Sequence, residues 1–210
     1  TGGSLWVVVG SSGALDYSSD GTSFTTVTGF GSTALYLSFY HSGQGFFVGG
    51  NSGKMWVSTN GTSSYTACDP GASQRITDMA WSGTNLVISR RSGKVYYATP
   101  ASASSGSWSS ATTGVTAHLL SIASDQSGTV VAVGNSGTII RSTDNGVTWS
   151  TGTSGVTSHL RSVAYSGSLG FVICGDSGVV LTSSDGASWS SQTSGAPDDL
   201  NWVQSSAGYP

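Results

Sequence analysis

Hydrophobic residues occur along this chain in short runs that are separated by turn-forming segments. Runs such as Val130–Val133 and Phe171–Cys174 are rich in β-branched and aromatic residues. Such short runs favour β-strands over helices. Between them stand Gly-Xaa-Ser-Gly and Asp-Gly or Asn-Gly segments, which favour tight turns because glycine readily adopts positive φ. The pattern therefore predicts an all-β protein built from hairpins.

A Ser-Gly pair recurs five times in the same setting, ending at Gly13, Gly53, Gly93, Gly137 and Gly178. Successive glycines are 40, 40, 44 and 41 residues apart, and the path from Gly178 through Pro210 back to Gly13 covers 45 more. Four short strands in a period of roughly 42 residues are typical of a β-propeller blade.

One further apolar segment accompanies each repeat and is predicted to be the first strand of a blade: Leu35–Tyr40, Ile76–Trp81, Leu119–Ser124, Leu160–Tyr165 and Leu200–Ser205. The last of these segments lies near the C-terminus, whereas residues 4–10 match the second strand of a blade. We therefore predict a five-bladed β-propeller of four-stranded blades, with residues 1–210 as one domain. Strands from both termini are expected to share one blade, because this arrangement removes a free sheet edge.

The composition excludes several classes of protein. The chain has 43 Ser, 31 Gly and 24 Thr, with ten Asp, no Glu, two Lys and five Arg. Charged residues make up 8%, too few for a coiled coil, and a net charge of −3 disfavours nucleic-acid binding. No apolar run approaches the roughly 18 residues that span a bilayer. We therefore expect a monomer without membrane insertion, nucleic-acid partner or cofactor.

The hairpin turns resemble Asp boxes, the Ser-Xaa-Asp-Xaa-Gly-Xaa-Thr-Trp signature of sialidase-type (BNR) repeats. Ser142–Trp149 is a full match, and Ser183–Trp189 and Ser18–Phe24 are one residue shorter. Ser58–Tyr65 carries Asn in place of Asp, and Ala98–Trp108 has lost the motif. The wider pattern also resembles the repeats of photosystem II assembly factors. This resemblance implies a propeller, but Asp boxes occur in glycosidases, lectins, receptors and assembly factors alike.

Several polar residues are predicted to be structural. Asp20, Asp144 and Asp185 are expected to hold their own turns through hydrogen bonds to the backbone, with the following aromatic residue packed between strands. Cys68 and Cys174 fall two blades apart in the predicted ring, whereas a disulfide needs Cα atoms within about 7 Å. Two free thiols are therefore expected, with Cys174 in the core.

Candidate binding residues are those that differ between equivalent positions of the repeat. In ring order, the position before each first strand holds Asp199, Ala34, Arg75, His118 and His159. The position two residues later holds Asn201, Tyr36, Thr77, Leu120 and Arg161. The turns between second and third strands add Asn51, Asn135, Asp176 and the pair Arg90-Arg91. A propeller presents these positions at the mouth of its central channel.

Our first hypothesis for this mouth is glycan recognition. Arg, His, Asp and Asn side chains bind sugar hydroxyls, while Tyr36, Trp202 or Trp81 supplies an apolar platform. Glycosidic cleavage needs two carboxyl groups about 5–9.5 Å apart, and the off-motif candidates are Asp78, Asp176, Asp198 and Asp199. A conventional sialidase is excluded, because its Tyr is activated by a Glu that this chain lacks.

Three other interpretations stay open. His118, His159 and Asp199 match the residue types of a two-His-one-carboxylate metal triad. The same residues are also compatible with a solvated rim or with groups that bond the strand ends. A non-catalytic scaffold for a protein partner, with Arg90 and Arg91 as contact points, agrees with the assembly-factor resemblance. The abundance of Ser, Thr and Gly favours an extracellular or virion-associated protein, and residues 1–4 show no signal peptide.

Overall fold

The protein is described by a computed structural model that covers residues 5–71 and 73–205. Contacts between Cα atoms divide the chain into two compact units, Thr1–Ile76 with Pro100–Trp108, and Thr77–Thr99 with Ser109–Pro210. Neighbouring strands in each sheet are consecutive in sequence. No helix in the described ranges is long and apolar enough to cross a membrane.

Within its described residues, the first unit contains two sheets and one short α-helix. Its first sheet has three strands, β1 (Trp6–Val9), β2 (Leu15–Ser18) and β3 (Thr25–Val27). Its second sheet has four, β4 (Leu35–His41), β5 (Gly45–Gly50), β6 (Met55–Ser58) and β7 (Thr66–Ala67). The helix α1 (Pro100–Ser104) stands in the repeat that has lost its Asp box.

The second unit contains three sheets of four strands. The sheet that begins with β8 comprises β8 (Ile76–Trp81), β9 (Leu86–Arg90), β10 (Val95–Ala98) and β11 (Ser109–Ala111). The next comprises β12 (Leu119–Ser124), β13 (Val130–Gly134), β14 (Ile139–Ser142) and β15 (Ser150–Gly152). The last comprises β16 (Leu160–Ser166), β17 (Gly170–Gly175), β18 (Val180–Ser183) and β19 (Ser190–Gln192).

The predicted fold class is confirmed, since residues 5–71 and 73–205 form five antiparallel sheets and almost no helix. The predicted strands Ile76–Trp81 and Leu119–Ser124 have the expected bounds, and β4 and β16 extend one residue further than predicted. The prediction of a strand over residues 200–205 is wrong: they form no strand, and the first sheet has three strands instead of four. Leu200 donates its backbone N–H to the Gly175 carbonyl instead. Ring closure stays a prediction, and residues 206–210 lie outside the described ranges.

Hydrophobic side chains from neighbouring sheets form the core. In the second unit, one cluster gathers apolar residues of the second and third sheets around Phe171 and Ile173, both fully buried. In the first unit, Leu15, Phe30 and Val48 form a comparable cluster. Burial of apolar surface stabilises by roughly 25 cal/mol per Å², so these interfaces between sheets carry most of the stability.

The Asp-box residues hold their own turns, as predicted. Asp20 Oδ1 accepts the backbone N–H groups of Thr22 and Ser23, both at 2.8 Å, and the Ser18 hydroxyl at 2.9 Å. The N–H groups of Ser23 and Thr22 lower the pKa of Asp20 below its usual value. Phe24 departs from the prediction, because half of its surface is exposed instead of packed between strands.

Both cysteines are buried free thiols. Burial raises the pKa of Cys68 to about 12, and its carbonyl accepts the Trp108 indole N–H at 3.2 Å. Burial also raises the pKa of Cys174, whose thiol donates to the Leu200 carbonyl. Because the thiolate is the reactive form, burial makes both thiols less reactive.

Candidate functional site

The second residue of three first strands lies in a β-bulge. The pairing register shifts between the first and third residues of β4, β12 and β16. A bulge leaves one residue without a partner in the ladder and redirects its side chain. Tyr36 and Arg161 occupy this position, and Tyr36 exposes 44% of its surface. The irregularity of the strand therefore presents these two predicted binding residues.

In the second unit, Arg161 contacts two of the predicted aspartates. Its Nε donates to Asp176 Oδ1, and its Nη2 lies 3.3 Å from Asp199 Oδ2. Asp176 belongs to the turn between β17 and β18, and Asp199 precedes residue 200. We call these three residues the Arg161 group. All three side chains are partly or largely exposed, so the group is accessible to a ligand.

Two further predicted residues follow the Arg161 group in sequence. Asn201 is exposed, and Trp202 exposes 69% of its surface. Asp198 is also exposed. A large exposed indole is unusual for a folded domain of this size, because Trp is highly buried on average. The polar side chains of Asp198 and Asn201 thus lie within four residues of the Trp202 indole in the sequence.

His118, His159 and Asp199 each hold a different turn. Nδ1 of His118 accepts the backbone N–H of Ser92, and Nδ1 of His159 accepts that of Ser136, both at 3.0 Å. Asp199 Oδ1 accepts the N–H of Ser177 at 3.0 Å. These serines adopt positive φ in the Ser-Gly turns. The side chains therefore bond the strand ends.

The metal triad is not supported by this arrangement. In the described part of the chain, no group of three His, Cys, Asp or Glu side chains stands close enough to hold a metal ion. Each member of the expected triad faces its own turn, and the His118 and His159 Nδ1 lone pairs already accept hydrogen bonds.

Asp78 has a different environment from the other candidate carboxylates. Its Oδ2 accepts the Ser121 hydroxyl at 2.8 Å and the Ile122 N–H at 3.0 Å, so it joins β8 to β12. Its Oδ1 accepts the N–H of Met79 at 2.8 Å. Burial raises the pKa of Asp78 to about 6. Asp78 and Asp199 thus bond to separate sets of partners.

Two of the predicted binding residues, Arg75 and Tyr36, contact each other in the first unit. The guanidinium carbon of Arg75 lies 3.4 Å from the centroid of the Tyr36 ring. This distance is well within the roughly 6 Å limit of a cation–π contact. The bulged, exposed Tyr36 is therefore held by a charged neighbour at the start of the following first strand.

Arg90 and Arg91 do not form a common contact surface. Arg90 is fully buried, with its guanidinium carbon 5.0 Å from the Tyr96 ring centroid, whereas Arg91 is exposed. Arg90 therefore presents no accessible surface to a partner in this structure, in contrast to Arg91. Four other repeats carry glycine at this position, so Arg90 is a local replacement within the core.

Sequence reasoning missed an aromatic pocket in the first unit. It has a volume of about 260 Å³ and is lined by residues 27–30, Trp56, Ser64 and Tyr65. The signal for it was Phe30, which stands between Gly29 and Gly31 where three other repeats carry Thr-Gly-Val, Ser-Gly-Val and Ser-Gly-Ala.

The repeated sheets and Asp-box turns define a β-propeller of the BNR class. The model of the family described as "Photosynthesis system II assembly factor YCF48" matches residues 50–184, and the chain belongs to this family. A search of curated proteins finds no match.

Solved structures of low sequence identity share the fold. YCF48 bound to D1 peptide is 17% identical, with a TM-score of 0.64, over 85% of this chain and 61% of the other. YCF48 from Cyanidioschyzon merolae is 18% identical, with a TM-score of 0.65, over 84% and 65%. The GH74 enzyme of Niastella koreensis is 17% identical, with a TM-score of 0.69, over 89% and 36%. This chain therefore spans less than two thirds of the length of these proteins.

Proposed function

We propose that this protein is a non-catalytic binding propeller whose ligand is a glycan held at the Arg161 group. The observation that carries the proposal is the contact of the Arg161 guanidinium with the carboxylates of Asp176 and Asp199. The exposed Trp202 follows Asp199 by three residues. Exposed ion pairs contribute only about 0–1 kcal/mol to stability. Asp199 Oδ1 also holds the Ser177 turn, but the ion pairs with Arg161 add little to the stability of the fold, which supports a role for them in ligand binding.

Sugars suit this combination of side chains. Pyranose hydroxyls both donate and accept hydrogen bonds, and the group offers carboxylate acceptors beside guanidinium donors. Trp202 offers an apolar face for the C–H groups of a sugar ring. Since Arg161 fixes both carboxylates before a ligand arrives, less conformational freedom is lost on binding.

The environments of the candidate carboxyl groups favour binding without hydrolysis. A glycosidase needs one carboxyl group that stays protonated near neutral pH. In the described chain, Asp78 is the aspartate whose pKa is raised, and both of its oxygens accept hydrogen bonds from the protein. The Arg161 group holds its two carboxylates by a cation, which favours recognition over proton transfer.

The test is a glycan-array screen with the wild type, followed by titration of the best glycan against Arg161→Ala. We expect binding to weaken at least about tenfold, which corresponds to about 1.4 kcal/mol. Arg141→Ala is the matched control, because Arg141 is a partly exposed arginine of β14 that bonds the Asp185 carbonyl outside the group. Equal loss in both variants, or no glycan bound by the wild type, would contradict the proposal.

A second candidate function is capture of a peptide. It is supported by the family match and by the relative whose structure has a bound D1 peptide. The Arg75–Tyr36 pair offers a cation and an aromatic face for such a partner. A peptide library screened against the wild type and Tyr36→Ala tests this candidate, with Phe24→Ala as an exposed aromatic control. Peptides retained by Phe24→Ala and lost by Tyr36→Ala would favour it over the glycan.

A further inference from the structure

We propose that the aromatic pocket of the first unit binds one neutral pyranose ring. The pocket comprises residues 27–30, Trp56, Ser64 and Tyr65. This proposal does not require the Arg161 group, which lies in the second unit. It assigns a second binding site, with its own ligand class, to a region that the sequence pattern treated as blade packing.

Three aromatic rings form the wall of the pocket. The Phe30 ring meets Trp56 at 88° and Tyr65 at 76°, with 5.2 Å between centroids in both pairs. Phe30 is buried, whereas Trp56 and Tyr65 are half-buried. The Tyr65 hydroxyl donates to the Gly61 carbonyl at 3.0 Å, which fixes its ring. Two oriented rings thus keep surface available for the apolar face of a sugar.

Polar groups with unused hydrogen-bonding capacity stand around these rings. Within the described ranges, the Thr28 and Ser64 hydroxyls and the Trp56 indole N–H make no hydrogen bond to protein. Hydroxyl groups donate and accept, and the indole donates. A ligand with several hydroxyl groups matches this set, whereas a purely apolar side chain would leave it unused.

The repeat does not require this aromatic group. Equivalent connections in the second unit carry Gly114, Gly155 and Gly195, and an added Cβ at each of them would meet no atom within 4 Å. The first unit instead places Phe30 there, between Gly29 and Gly31, which both have positive φ. The second unit has no side chain at this position, whereas Phe30 adds a ring to the hydrophobic cluster of the first unit and also lines the pocket.

Charge and size restrict the ligand. No Asp, Lys, Arg or His lines the pocket, so a sulfate, phosphate or carboxylate group would find no counter-ion. The volume of about 260 Å³ lies just below the roughly 300–1,000 Å³ of sites for larger ligands. A single neutral monosaccharide unit therefore fits the pocket better than an extended chain.

The experiment is a titration followed by the NMR signal of the Trp56 indole N–H, assigned through Trp56→Phe. D-Glucose, D-galactose and D-mannose are each added to the full chain up to about 100 mM, a range that reaches millimolar affinities. We expect at least one sugar to shift the Trp56 signal in a saturable manner. Arg161→Ala should give the same shift, which separates this site from the Arg161 group.

A double variant tests the polar groups without disturbing the aromatic wall. Thr28→Val with Ser64→Gly removes both hydroxyls, and glycine suits the positive φ of residue 64. We expect affinity to fall about thirtyfold, because two hydrogen bonds to the sugar are lost, whereas Thr26→Val in the neighbouring strand β3 should leave the affinity unchanged. The proposal is overturned if no sugar shifts Trp56, if the double variant binds as well as the wild type, or if cyclohexanol shifts Trp56 as strongly as the sugars do.

Discussion

Nδ1 of His159 accepts a hydrogen bond from the backbone N–H of Ser136 at 3.0 Å. The donor belongs to the Ser-Gly turn of one sheet, and the acceptor precedes the first strand of the next. The N–H of Asp176 also donates to the His159 carbonyl at 2.9 Å. His159 therefore links two successive turns, one through its side chain and one through its backbone.

The first prediction concerns this link. Asp199 accepts the N–H of Ser177 at the equivalent position, so an aspartate can replace the imidazole. We expect His159→Ala to lower the free energy of unfolding by about 1 kcal/mol, the usual contribution of one such hydrogen bond. His159→Asp is expected to lose less, because its carboxylate restores an acceptor. Urea denaturation of the three proteins measures this, and equal losses in both variants would show that the hydrogen bond does not matter.

The sequence predicts the strands well because strand and turn signals are local. Each hydrophobic run and each positive-φ turn is contained in a stretch of a few residues. For this reason β8 and β12 have the predicted bounds. The partners of the site residues are distant in sequence. Asp78 bonds Ser121, 43 residues away, and Arg161 bonds Asp199, 38 residues away. Their positions in the repeat identified these residues as candidates, but the sequence could not assign their partners.

The bulges and the missing strand show the same limit. Strand periodicity placed Arg161 two residues beyond His159 but did not predict the register shift that redirects its side chain. Likewise, Leu200 begins an apolar segment of the right pattern, yet a strand needs a neighbour to pair with, and that neighbour is not encoded locally. The short runs therefore determine which segments are extended, whereas pairing decides which become strands.

The second prediction concerns the Asp box of β14. Burial raises the pKa of Asp144, but hydrogen bonds from Thr148 and Ser142 outweigh this and hold it below its usual value. A lowered folded pKa gives stability that is present above pH 3.8 and lost as pH falls through the folded value. Asp144→Asn should therefore be less stable than the wild type near neutral pH, with a difference that shrinks in acid.

Asn60 provides the precedent for this variant. Its Oδ1 accepts the N–H groups of Thr62 at 3.0 Å and Ser63 at 3.1 Å, so a neutral amide also holds the turn. We therefore expect Asp144→Asn to lower the free energy of unfolding by about 1 kcal/mol at most. Asp144→Ala is expected to lower it further. Thermal unfolding at several pH values measures the difference, and a wild-type advantage that grows in acid would contradict the sign.

The third prediction concerns Asp78, whose shift has the opposite sign. Because burial raises its folded pKa to about 6, the folded protein binds this proton more tightly than the unfolded chain. The resulting stability is complete below pH 3.8 and is lost as pH rises through about 6. Asp78→Asn removes this dependence. Between about pH 4 and pH 7.5, the wild type should lose on the order of 3 kcal/mol relative to the variant. Urea denaturation at several pH values measures both stabilities. If the free energies of unfolding of the wild type and of Asp78→Asn changed in parallel with pH, the prediction would be contradicted.

The fourth prediction compares two glycines that both have positive φ in the second unit. An added Cβ at Gly137 would stand 2.0 Å from the Val156 carbonyl oxygen, whereas one at Gly155 would meet nothing within 4 Å. Alanine strains the left-handed backbone at either position by about 1–2 kcal/mol. At Gly137 it must also displace backbone, which adds about 1–3 kcal/mol of overpacking. Urea denaturation should therefore show a clearly larger loss of stability for Gly137→Ala than for Gly155→Ala. Equal losses would mean that the backbone at Val156 moves away from the new Cβ without a measurable loss of stability.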